Sequence, residues 1–119
     1  MAFLDLFKSD TDWTRDEVTS LTSMMIAQSY LDNEQTDDER DLILTAITGF
    51  CPEANVEDII KDSASLTPEY CIKCLVSMHT TKRKIVIAIL MAIGMVDGDF
   101  DDDEQLMTYA VGKALNVKF

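Results

Sequence analysis

Apolar residues recur along this chain at the spacing of helix faces, and short polar breaks separate them. Val18, Leu21 and Met25 share one face of a segment that opens at Thr14, with Glu17 three residues later. That pair is a capping box, in which the threonine oxygen and the glutamate each satisfy a backbone N–H. Ile43, Ala46, Ile47 and Phe50 follow the same template after Thr36 and Glu39, and Cys51-Pro52 ends the run. Asn55 caps "VEDIIKDSA". Thr67-Pro68 places proline at a first helical position before "EYCIKCLVSM". Thr81 is the expected cap of "KRKIVIAILMAIGMV", and Asp101 with Glu104 opens a last helix whose expected inner stripe is Met107, Ala110, Val111 and Ala114. No alternating run is long enough for a strand. The pattern predicts an all-α, single-domain helical bundle over residues 1–119, with six helices and a short seventh in "AFLDLF".

Shifted by 65 residues, the chain resembles itself. Met24 to Ala27, Tyr30 and Leu31 fall on Ile89 to Ala92, Met95 and Val96, all apolar. Asp32 falls on Asp97, Asn33 on Gly98, Glu34 on Asp99, Thr36 on Asp101, and Glu39 on Glu104. Beyond Leu42 and Ala46 the apolar stripes drift by one residue. Each copy reads as helix, acidic turn, helix, and two such hairpins give a bundle with approximate twofold symmetry. Asn33 and Gly98 suit a left-handed helix end. Thr36 and Asp101 are expected N-caps, closed by Glu39 and Glu104.

Charge sharpens this picture. The chain carries −12, with 22 acids against 10 bases. Asp32–Asp41 and Asp97–Glu104 hold six acids each, with Arg40 their only base. Acids in a helix cap and first turn are stabilised by about 0.3–1 kcal/mol each. Asp32 and Asp97 end the preceding helices, where negative charge is unfavourable, and Glu34 and Asp99 add charge within the turns. Capping therefore leaves Asp32, Glu34, Asp97 and Asp99 unexplained. They are the expected ligands of a hard divalent cation, Ca²⁺ or Mg²⁺, or the contact set of a basic protein partner. The spacing is not that of an EF-hand: counted from Asp97, its glycine position holds Asp102 and its closing glutamate position Thr108. In the first copy those positions hold Asp37 and Ile43.

The acidity argues against nucleic acid, since Lys82, Arg83 and Lys84 form the one basic cluster. That cluster is expected to begin a helix or face acids. Ile85–Val96 is too short to span a bilayer, which takes about 20 apolar residues. The chain shows no export signal, and three cysteines suit a reducing compartment, so the expected location is cytoplasmic. Cys71 and Cys74 form a C-x-x-C near Cys51 and His79. Zinc would need all four together, whereas packing as small apolar groups needs no metal. His79 is expected as a cap or surface residue. The methionines read as core filler.

The twice-occurring pattern of an apolar helix followed by Asp-Gly-x-apolar-[Ser/Thr/Asp]-x-x-Glu resembles the TerB-like tellurite-resistance family, relatives of the N-terminal domain of a DnaJ-type co-chaperone. Ala92, Asp97, Gly98, Phe100, Asp101 and Glu104 carry the second copy. The first departs from it, with Asn33 and Gln35 in the glycine and apolar positions. The resemblance covers about Thr14 to Val117. It implies an all-α bacterial domain with no settled catalytic role, tied to stress or tellurite resistance, whose acidic turns bind metal or partners. The rival reading is a metal-dependent enzyme with acidic ligands, which converging carboxylates would favour. A third is a structural adaptor that binds protein through an apolar face.

Overall fold

Helix formation here is decided at the caps and confirmed by burial. The computed structural model describes residues 13–31, 35–96 and 101–117. Six helices and no strand lie among them: α1 (Arg15–Ser29), α2 (Asp37–Phe50), α3 (Val56–Ser63), α4 (Pro68–Val76), α5 (Thr80–Met95) and α6 (Asp102–Ala114). The short helix expected in "AFLDLF" lies outside the described residues.

Complete capping boxes open three of the helices. Thr14, Thr36 and Asp101 accept from the backbone N–H of Glu17, Glu39 and Glu104 at 3.1, 3.1 and 2.9 Å. Each glutamate accepts in return from its cap's own N–H. At α3 and α4 the side chains of Asn55 and Thr67 accept from the N–H groups of Asp58 and Tyr70, the first half of the same arrangement. Thr81 does not cap α5. His79 does, its Nδ1 accepting from the Thr81 N–H at 3.2 Å, and Thr80 is already helical. His79 thus takes the cap role that was one of its two expected roles, an imidazole nitrogen doing the work of a cap oxygen.

α1 is the central element, packed against α2, α3, α4 and α5. Its Val18, Leu21 and Met25 are fully buried, as are Ile89, Leu90 and Ile93 of α5. Trp13 stacks on Phe50 with centroids 4.3 Å apart and closes the bundle beside the start of α1. α6 packs on α5 and touches α4.

The repeat holds in three dimensions. Shifting α1 and α2 by 65 residues reproduces the starts of α5 and α6, and α5 and α6 end within a residue of the shifted ends. The caps Thr14 and His79 correspond, as do Thr36 and Asp101. Buried positions stay in register along the second helices as well: Ile43 with Thr108, Ala46 with Val111, Ile47 with Gly112 and Phe50 with Leu115. The apparent drift in the sequence arose because a threonine and a glycine fill two buried sites. The expected inner stripe of α6 is corrected accordingly. Val111 is buried and Met107 half-buried, but Ala110 and Ala114 are exposed, while Glu104, Thr108 and Gly112 face inward.

The copies end differently. α2 stops at Cys51 before proline, with φ −142°. α6 closes on Asn116 at φ 57°, a left-handed residue, with Val117 N–H donating to the Gly112 carbonyl at 2.8 Å and Asn116 N–H to Lys113 at 3.1 Å. That is a Schellman closure, which asparagine tolerates better than most residues. The left-handed ends expected at Asn33 and Gly98 lie outside the described residues.

Candidate functional site

The direction of the two long helices determines where their turns emerge. Glu17 Oε1 accepts from Lys82 Nζ at 2.8 Å near the starts of α1 and α5. Gln28 Nε2 lies 3.4 Å from the Leu90 carbonyl near their ends. The helices therefore run in the same direction. Glu17 and Lys82 occupy equivalent places in the repeat, 65 residues apart, so the pseudo-twofold axis passes between them. Both helices end, and α2 and α6 both begin, at one end of the bundle.

Gln28 fastens that end. It is 1% exposed, and its Nε2 also donates to the Glu104 carbonyl at 3.2 Å and to Thr108 Oγ1 at 3.1 Å. The last turn of α1 is thus hydrogen-bonded to the first turn of α6. Among the described residues the Gln28 Oε1 atom has no partner. Gln28 does not stand out in the sequence, because glutamine on a helix is ordinarily solvated.

The exposed acids at this end are Asp37, Asp38, Asp102 and Asp103, in the first turns of α2 and α6. Their positions complement the positive helix starts. The capping residues Thr36, Glu39, Asp101 and Glu104 adopt their expected roles, and both glutamates are buried. The four expected cation ligands, Asp32, Glu34, Asp97 and Asp99, lie outside the described residues. Among the described residues no three His, Cys, Asp or Glu side chains converge on a point that could hold a metal. Cys51, Cys71, Cys74 and His79 are all described and form no such set. Burial pushes the thiols of Cys51 and Cys71 up, which favours the neutral form over the thiolate a metal needs.

Lys82 and Arg83 of the basic cluster are engaged by the fold. Lys82 holds Glu17 and lies 5.4 Å from the Trp13 ring centroid. Arg83 donates to the Leu115 carbonyl at 2.8 Å and to Thr80 at 2.9 Å. Burial alone would raise the Glu17 carboxyl, but the hydrogen bonds from Lys82 and Thr14 outweigh it and hold the group below its usual range.

Among the described residues, clefts lie on two sides of α1. The larger, about 880 Å³, lies between α1, α2 and α3, with Ile26, Ile43, Leu44, Ile60 and Leu66 among its walls. The smaller, about 380 Å³, lies between α1, α4 and α6 and is lined by Ile72, Met107, Ala110 and Ala114, among others. No described helix is long and apolar enough to cross a membrane. No protein-family profile, curated protein or solved structure matches the chain.

Proposed function

We propose that the protein is a non-enzymatic, TerB-like helical domain whose two acidic turns act together as a binding end for a divalent cation, Ca²⁺ or Mg²⁺, or for a basic partner surface. The observation that carries this reading is the shared direction of α1 and α5, fixed by the Glu17–Lys82 and Gln28–Leu90 contacts. It brings the starts of α2 and α6 to one end, where Asp37, Asp38, Asp102 and Asp103 are exposed. Charge concentrated in this way costs folding free energy through mutual repulsion, and a bound cation or basic surface relieves it. The acids that capping does not explain, Asp32, Glu34, Asp97 and Asp99, are the proposed ligands. The tie to stress or tellurite resistance rests on the resemblance of the repeated acidic pattern. So does a bacterial origin, while a cytoplasmic location also rests on three cysteines that suit a reducing compartment.

Calorimetric titration of chelator-treated protein with Ca²⁺ and then Mg²⁺, at near-physiological salt, tests the proposal. Saturable binding that is lost in the Asp97→Asn, Asp99→Asn double variant is expected, with the helical circular dichroism unchanged. Heat that merely scales with ionic strength would remove the cation, and loss of the fold in the variant would make these acids structural.

A further inference from the structure

The α6 stripe Met107, Ala110, Val111 and Ala114 has the spacing of a core-facing helix side, yet Ala110 and Ala114 are exposed. All four line the smaller cleft. The central helix is open on the same side. Ser23 is half-buried in the second half of α1 and Ala27 exposed in its last turn, although α1 packs against four other helices. Ser23, Ala27 and Leu66 line both clefts, so the two adjoin across α1, where the small side chains of Ser23 and Ala27 separate them; the groove they share is the channel. Its larger part alone lies near the top of the 300–1,000 Å³ range of small-molecule pockets, and with the second cleft it exceeds what a compact metabolite fills. A row of apolar anchors at i, i+3, i+4 and i+7 on a docked helix matches such a channel.

Charge selects among helices. On α2, Asp37 and Asp41 continue the line of Leu44 and Thr48 at helical spacing, and Leu44 and Thr48 line the larger cleft. Glu57 lines its α3 side, and Asp103 extends the α6 stripe one turn before Met107. Within the lining Glu57 is matched by Arg40; beyond it Asp37, Asp41 and Asp103 outnumber Lys61, the exposed base one turn after Glu57, on a chain of charge −12.

We propose that this channel seats a basic amphipathic helix from a protein partner, its apolar face in the clefts and its cations on the acidic rim. The proposal goes beyond the cation-binding reading, because the channel walls are not the proposed ligands. It deepens the basic-partner half of that reading by giving the partner a shape.

The test uses a labelled helical peptide of leucine and lysine, about 14 residues or ~21 Å long, followed by fluorescence anisotropy at near-physiological salt. Saturable binding is expected, weakened at least about tenfold, or ~1.4 kcal/mol, in each of Ala27→Glu and Ala64→Glu. Both positions are exposed, so circular dichroism should show the fold retained, and both substitutions fill the channel while adding negative charge. A peptide held by surface charge alone would bind these variants as well or better, and that result overturns the proposal. Equal binding of a leucine–glutamate helix, or displacement of the peptide by dodecanoate at saturation, overturns it too. The Asp97→Asn, Asp99→Asn protein separates the two readings: it should lose Ca²⁺ heat and keep peptide binding.

Discussion

Glu17 does two jobs with one carboxylate oxygen. Its Oε1 accepts the Thr14 N–H at 2.8 Å, closing the capping box of α1, and the Lys82 ammonium at 2.8 Å, tying α1 to α5. The side chains of the pair are only 15% and 13% exposed, so the contact is shielded from the screening that weakens surface ion pairs. Removing the charge leaves Lys82 short of a partner in a partly buried place. Glu17→Gln is therefore expected to cost about 1–3 kcal/mol in urea unfolding at neutral pH. The pH dependence has a fixed sign. The folded-state carboxyl lies below its usual value of 4.5, so its contribution is complete above that value and fades as pH falls through the lowered one. The gap between wild type and Glu17→Gln should accordingly close in acid. A gap that is constant with pH would assign the loss to packing. The capping half of this residue was legible in the sequence because it is local, Thr14 and Glu17 being three apart. The Lys82 half was not, because it depends on the direction in which two helices pack.

At the scale of elements, local chemistry again proved readable and packing less so. Thr36 and Asp101 occupy equivalent positions in the two hairpins and make the same capping box. Replacing either with alanine should destabilise by about 1 kcal/mol. The caps share no side-chain partner in the geometry described, so the double substitution should cost nearly the sum; urea midpoints of the two singles and the double check this. A large shortfall would mean that one hairpin frays before the other. At the start of α5 the expected threonine cap, Thr81, gave way to His79, which the sequence offered as a cap or surface residue. The inner face of α6 escaped the sequence rules because apolarity was taken as burial. Thr108 can face inward because its hydroxyl donates to the Glu104 carbonyl at 2.9 Å and accepts from Gln28, so its polarity is satisfied. Met107, Ala110 and Ala114, which looked like core, line the smaller cleft. Gln28→Leu should keep the buried volume while removing the bonds that fasten α6. Faster hydrogen exchange at the amides of Thr108 and its neighbours, with α2 unchanged, is the expected result. Equal loosening of α2 would mean that the glutamine supports the whole bundle.

The whole molecule carries its charge unevenly, and this was the most legible global feature: two short segments hold −11 of the −12. The fold adds that α2 and α6 start at one end, which no pattern along the chain could reveal. Repulsion within that end should respond to any salt, whereas a cation site should respond to particular ions, and thermal unfolding separates the two. Sodium chloride is expected to raise the midpoint modestly by screening. Calcium or magnesium chloride at matched ionic strength should raise it further. A ligand that binds only the folded state adds about 2.7 kcal/mol when present at 100 times its dissociation constant. The Asp97→Asn, Asp99→Asn protein should lose that extra increment and keep much of the response to sodium, since Asp37, Asp38, Asp102 and Asp103 remain. Equal midpoints in the sodium and calcium salts would instead identify the acidic end as a diffuse field, suited to steering a basic partner toward the channel beside it.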